Sequence, residues 1–210
     1  MENLGTTILA VGALGTAAFG IVEALKWTFV GILGFGEIKK LLGEPVMEAL
    51  KLAYGADFMS FLKAQYRNDR KSGVLSRTIR QGTRVGLTPE TAPGLAVQMG
   101  VVDGQLLSAV AAAIQSGEEL NDGQRNLLGR FELALDARID AALALANDRY
   151  IGYIRFLASA VSIFIAIAVG NSMGIELTIS LIIGVAAVPV APMAKDLTSA
   201  IRAASKAMTG

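Results

Sequence analysis

Leu4 to Val22 runs for nineteen residues without a charged side chain, and two further charge-free apolar stretches, Phe156 to Gly170 and Leu177 to Ala194, lie toward the other end of the chain. A bilayer core about 30 Å thick needs about 20 apolar residues in a helix rising about 1.5 Å per residue. The first stretch meets that length and runs into Glu23, Lys26 and Trp27, side chains that suit a membrane edge. The second reaches it through Ile151 to Tyr153, with Arg155 extending its guanidinium to the headgroups. Only Asn171 to Glu176 separate the second from the third, which closes with Pro189, Pro192 and Lys195, so the pair reads as a transmembrane hairpin. Composition agrees: 53% of the 210 residues are hydrophobic and 18% charged, more apolar than a water-soluble domain of this length.

The acidic flank Met1-Glu2-Asn3 and the length of the first apolar run argue for a retained span over a cleaved signal peptide. Ala24 to Phe35 stays apolar apart from Lys26, and either continues the first helix or lies in the interface. With three crossings, residues 1–3 and 171–176 share a side holding Glu2 and Glu176 but no Lys or Arg, and all 19 basic residues fall on the other side or at its edge. The positive-inside rule then puts the N-terminus and hairpin loop outside, and residues 37–150 and the tail from Lys195 in the cytoplasm.

Between the spans the pattern is helical. Ile38, Leu41, Leu42, Val46, Leu50, Ala53, Tyr54, Phe58, Phe61 and Leu62 recur at three and four, with Gly43 and Pro45 marking the end of one helix and the start of another. Thr88-Pro89-Glu90 reads as a cap and first turn. Asp103 can cap a helix over Gln105 to Ser116 that stops at Gly117, and Asn121 or Asp122 can cap the next. In that helix Leu127, Phe131, Leu135, Ile139, Leu143, Ala146 and Tyr150 form one apolar row, and nothing breaks it before the second span. A continuous helix from about 123 to about 169 would be roughly 70 Å long, and its row must pack on the 38–62 helices or on a neighbouring subunit.

The chain has no Cys and no His, which removes disulfides, thiolate or imidazole metal sites, c-type haem attachment and every histidine-dependent triad. Phosphate-binding, dinucleotide-binding and nucleophile-elbow motifs are missing as well. No cofactor and no catalytic residue is expected. The net charge of +1 hides a segregation: residues 63–84 hold Lys63, Arg67, Arg70, Lys71, Arg77, Arg80 and Arg84 against Asp69, giving +6, whereas residues 85–150 hold nine carboxylates against four arginines, giving −5.

The basic cluster either pairs with the acidic half or binds anionic lipid or a partner; without interleaved aromatics it does not read as a nucleic-acid platform. Glu132, Asp136 and Asp140 stack on one helix face, where like charges repel unless salt bridges, a cation or a pore mouth offset them. Glu23 either pairs with Lys26 at the interface or rings an oligomeric pore. Gly12, Thr16 and Gly20 lie four apart in the first span and favour close helix contact.

Leu128-Gly-Arg-Phe131-Glu-Leu-Ala-Leu-Asp136-Ala-Arg-Ile-Asp140, followed by Tyr150 and a span ending at Asn171, resembles a poorly characterised family of bacterial inner-membrane proteins. In that family a helix with a Phe-Asp and Met-Asp-Arg pattern leads directly into a membrane hairpin. The likeness covers about residues 125–172, with an echo at Leu52-Ala-Tyr54, and departs where Met-Asp-Arg is replaced by Ile139-Asp-Ala. It implies topology and bacterial origin, with no activity attached.

The expectation is an all-α integral membrane protein with three transmembrane helices and a cytoplasmic helical domain, divided as 1–36, 37–150, 151–194 and 195–210. Its expected role is a non-enzymatic scaffold or anchoring subunit, in contact with anionic lipids, forming a homo-oligomer or joining a membrane-complex partner. The alternative is a homo-oligomeric ion channel.

Overall fold

A computed structural model of the chain describes residues 2–25, 28–68, 73–100 and 103–187. Lys26, Trp27, Arg70, Lys71, Pro189, Pro192 and Lys195, all singled out above, lie outside them. Helices account for almost everything described: α1 (Glu2–Leu25), α2 (Phe35–Tyr54), α3 (Phe58–Asn68), α4 (Val74–Val85), α5 (Ala92–Met99), α6 (Gly104–Ser116), α7 (Asp122–Ser172) and α8 (Leu177–Ala187), with a short 3-10 turn at Phe29–Ile32. No strand occurs among the described residues. The chain divides into two units, residues 1–31 with 151–210, and residues 32–150; α7 contributes to each.

In the unit of residues 32–150 the expected apolar rows converge on one core. Ile38, Leu42, Val46 and Leu50 of α2, Phe58 and Leu62 of α3, and Phe131, Leu135, Ile139 and Ala146 of α7 are buried together. The α7 row therefore packs within its own chain. Tyr54 and Phe61 depart from the expected row: both are exposed, their rings 5.7 Å apart, and the Tyr54 hydroxyl donates to the Thr78 carbonyl at 2.8 Å. Partial burial of that phenol raises its pKa.

Helix ends follow their local chemistry. The Asp103 carboxylate accepts from the amides of Gln105 and Leu106, and α6 ends where the Glu118 amide reaches the Ala113 carbonyl at 2.9 Å beyond Gly117. Asn121 and Gln124 bond each other's backbone amides at 2.9 Å, a reciprocal box that starts α7. At Thr88 the expectation is corrected. Thr88 and Thr91 form a closed turn in which each amide meets the other's hydroxyl, so α5 begins only at Ala92.

Gly43 breaks α2 as its spacing to Pro45 implied, with φ 80° and ψ 168° inside an otherwise helical run. Gly34, at φ 88°, lies so close to α7 that a Cβ there would overlap the Ala146 carbonyl and come within 2.9 Å of the Tyr66 hydroxyl. That hydroxyl is in turn 3.0 Å from the Ala146 carbonyl and 3.1 Å from that of Leu33.

In the other unit α1 ends at Leu25, where the Thr28 hydroxyl takes up the Leu25 carbonyl at 2.6 Å, so the apolar run after Lys26 does not continue the first helix. α7 is uninterrupted to Ser172, and beyond Gly174 the Ile175 amide bonds the Gly170 carbonyl at 2.8 Å, closing the tight hairpin. Among the described residues α7 is the helix long and apolar enough to cross a bilayer, and Gly12–Val22 and Leu177–Ala187 are shorter apolar stretches. Of three expected crossings, that count supports one.

Gly34→Ala is expected to destabilise the protein by about 2 kcal/mol or more, through left-handed strain and backbone overlap. Gly36→Ala, two residues on with open space around its Cα, is expected to stabilise by about 0.5 kcal/mol. Thermal unfolding of the detergent-solubilised variants, followed by circular dichroism, checks both signs.

Candidate functional site

Small residues make the helix contacts in the unit of residues 1–31 and 151–210. Ser162, Ala166 and Gly170 recur every fourth residue of α7, and Ser180, Gly184 and Ala187 are the covered residues of α8; all six are buried. A Cβ on Gly184 would come 2.9 Å from the Ile163 Cα, and one on Gly170 would overlap the Ser180 hydroxyl. The Ser162 hydroxyl donates to the Gly184 carbonyl at 3.0 Å. The large residues face the other way: Phe156 is 76% exposed, Phe164 74% and Ile182 64%.

α1 packs against α8 and buries Gly15, Ala18 and Val22. The Gly12, Thr16 and Gly20 stripe lies apart from these buried residues. Thr16 is exposed with its hydroxyl returned to the Gly12 carbonyl at 2.9 Å, and a Cβ on Gly12 or Gly20 would meet nothing within 4 Å. Gly12, Thr16 and Gly20 thus touch no other described helix of the chain. Glu23 falls within α1, but its side chain lies outside the described structure.

The opposed charge segments meet where α4 faces α7. Arg80 forms an ion pair with Asp136, and Arg84 pairs with Glu132 at 2.9 Å, each one helical turn from the next. Two carboxylates of the stacked acidic row are therefore matched by two of the seven basic residues, which relieves their mutual repulsion and is the pairing with the acidic half that stood beside the lipid or partner reading. Asp140 stays exposed one turn farther along, as does Arg77 on α4, and Lys63 and Arg67 on α3 are half-buried. Among the described residues no group of three carboxylates that could hold a metal ion comes together.

A further cation, Arg138, was not singled out by the sequence. Pro45 has no amide hydrogen, so the Leu41 carbonyl four residues earlier loses its helical donor. Arg138 of α7 supplies one, its Nε donating to Leu41 at 2.9 Å while its Nη1 donates to the Gln98 carbonyl at 2.5 Å near the end of α5. The Gln98 amide adds a longer bond to the same Leu41 carbonyl at 3.4 Å. One guanidinium fork thereby joins the break in α2, the end of α5 and the middle of α7, a geometry that a lysine could not reproduce.

Arg138→Ala is expected to cost about 1–3 kcal/mol, because it strips donors from two carbonyls in the packed unit. Arg84→Ala, removing a pair whose side chains are 47% and 31% exposed, is expected to cost about 0.5 kcal/mol. Chemical unfolding of both variants checks the order, and equal costs would reduce Arg138 to an ordinary surface residue. Comparison of the chain with known protein families, with curated proteins and with solved structures found no match.

Proposed function

We propose that this chain is a non-enzymatic, multi-pass protein of the bacterial inner membrane that holds the helical unit of residues 32–150 at the cytoplasmic face and assembles with further copies of itself. The observation that carries the reading is the inverted order of side chains on the second half of α7 and on α8. Glycine, alanine and serine are covered, while phenylalanine, isoleucine and leucine are bare. In water such a surface is an aggregation liability. In hydrocarbon it costs nothing, and small residues at the seam let helices associate by close packing and hydroxyl bonds. The apolar window of α7 is only 11% buried, unlike the covered apolar face of a soluble core helix.

Three crossings fit this reading. α1 is 24 residues long, sufficient at about 1.5 Å per residue, and the apolar sequence that begins α8 continues to Ala194. The distribution of the 19 basic residues favours an outside hairpin loop and a cytoplasmic residue 32–150 unit. The resemblance of residues 125–172 adds the bacterial inner membrane. Self-assembly is supported by the outward Gly12, Thr16 and Gly20 stripe, which a second α1 could approach closely, and contact with anionic headgroups by Lys63 and Arg67.

The absence of native cysteine makes a direct test available. Met173→Cys in the hairpin turn is expected to react with a membrane-impermeant maleimide on intact cells, and Asp140→Cys only after permeabilisation. Both variants are expected to stay with the membrane through alkaline extraction. Reaction of Asp140→Cys on intact cells would reverse the orientation, and release of the protein by alkali would end the membrane reading.

A further inference from the structure

Residues 85–124 hold Glu90, Asp103, Glu118, Glu119 and Asp122 and not one Lys or Arg, and none of these carboxylates pairs with the basic residues of α4. In the same stretch a cleft of about 340 Å³ opens between α6 and the start of α7, floored by Leu106, Ala109 and Leu127. Leu106 is 58% exposed there, and Glu118 and Glu119 stand exposed within three residues of Asn121, which lines the same cleft, while Asp122 pairs with Arg125 at 3.3 Å.

Anionic headgroups and nucleic acid are repelled by such a surface, so its occupant must be cationic and apolar together. The chain itself carries that combination. On α4, Arg77, Gln81 and Val85 lie four apart along one exposed line, Val85 being 71% bare, opposite the buried Leu75, Ile79 and Gly82. α4 is packed on α2 and α3 and ion-paired to α7 through Arg80 and Arg84 within its own unit, while Arg77, Gln81 and Val85 stay exposed.

We propose that the cleft between α6 and α7 is the docking surface for α4 of a second copy of this chain, with Val85 on the Leu106, Ala109 and Leu127 floor and Arg77 facing Glu118 and Glu119. The proposal rests on the self-assembly reading above and names a contact for it outside the membrane. Because one surface meets a different surface on the next copy, the contact is made twice in a two-fold dimer or once per subunit in a ring.

Charge exchange tests it on the full-length protein in detergent at low ionic strength, with native mass and dilution as readouts. Arg77→Glu alone, and Glu118→Lys with Glu119→Lys, are each expected to weaken association roughly 10-fold, and the three together to restore it to within about threefold of the parent. These side chains are exposed and make no ion pair among the described residues, so the variants retain the fold. As a second readout, co-expressed Val85→Cys and Leu106→Cys chains, purified and oxidised with copper phenanthroline, are expected to form a disulfide between copies, which neither variant forms alone. An oligomer indifferent to all three reversals would overturn this contact while leaving self-assembly intact. A parent protein monomeric at every concentration would overturn both.

Discussion

The chain depends on one 51-residue helix that is covered along two separate stretches made of different material. Along the first half of α7 the covered row is Phe131, Leu135, Ile139, Ala142 and Ala146, and the facing helices bury it as a water-driven core. Along the second half the covered row is Ser162, Ala166 and Gly170, and the large side chains have moved outside. Within each stretch the covered residues lie three or four apart, and residues 151–161 between the two have none. Only their size and polarity reverse. Helical geometry is indifferent to solvent, whereas the choice of what to hide is not, and that separation lets a single unbroken helix serve two kinds of packing.

The break in α2 shows how a local rule becomes a tertiary requirement. Gly43 turns the chain and Pro45 removes an amide hydrogen, so the Leu41 carbonyl must be satisfied from outside its helix. The donor comes from Arg138, 97 residues away. Because the same guanidinium also takes the Gln98 carbonyl at the end of α5, the defect in one helix fixes the position of two others. The Tyr66 hydroxyl does comparable work at Gly34, where the backbone approaches α7 too closely for any side chain.

How much of this was legible depends on range. Caps and breaks were readable because Asp103, Asn121, Gly43 and Gly117 act within four residues of themselves. The start of α5 was misread because the Thr91 hydroxyl takes the Thr88 amide while the Thr88 hydroxyl takes that of Thr91, closing a turn before the helix begins. The apolar row of α7 was readable from its period, but its partner was not, since periodicity names a face and never what lies against it. The contact between α7 and α8 was not read for a related reason. Gly12, Thr16 and Gly20 stand out by their glycines at a spacing of eight, while Ser162, Ala166 and Gly170 are hidden among other alanines and serines. A search for mixed small residues at four-residue spacing on both hairpin arms would have found them. Arg138 carried no such signal, because its role exists only once Pro45 and Gln98 are beside it.

Charge follows the same logic of what can reach what. The +6 and −5 halves of the middle region invite the idea that they neutralise each other, yet the two carboxylates that meet Arg80 and Arg84 are Glu132 and Asp136, both beyond the cation-free stretch of residues 85–124. The carboxylates within that stretch and the outer line of α4 are held on one unit by α2, whose packing against both α4 and α5 keeps each in place. Opposite charges fixed on separate surfaces of one unit cannot discharge against each other, and in solution such contacts between copies are weak. Confinement changes that balance. Copies anchored in one bilayer, as proposed above, share an orientation and a high local concentration, so a contact that joins free copies only at high concentration is strengthened between tethered ones.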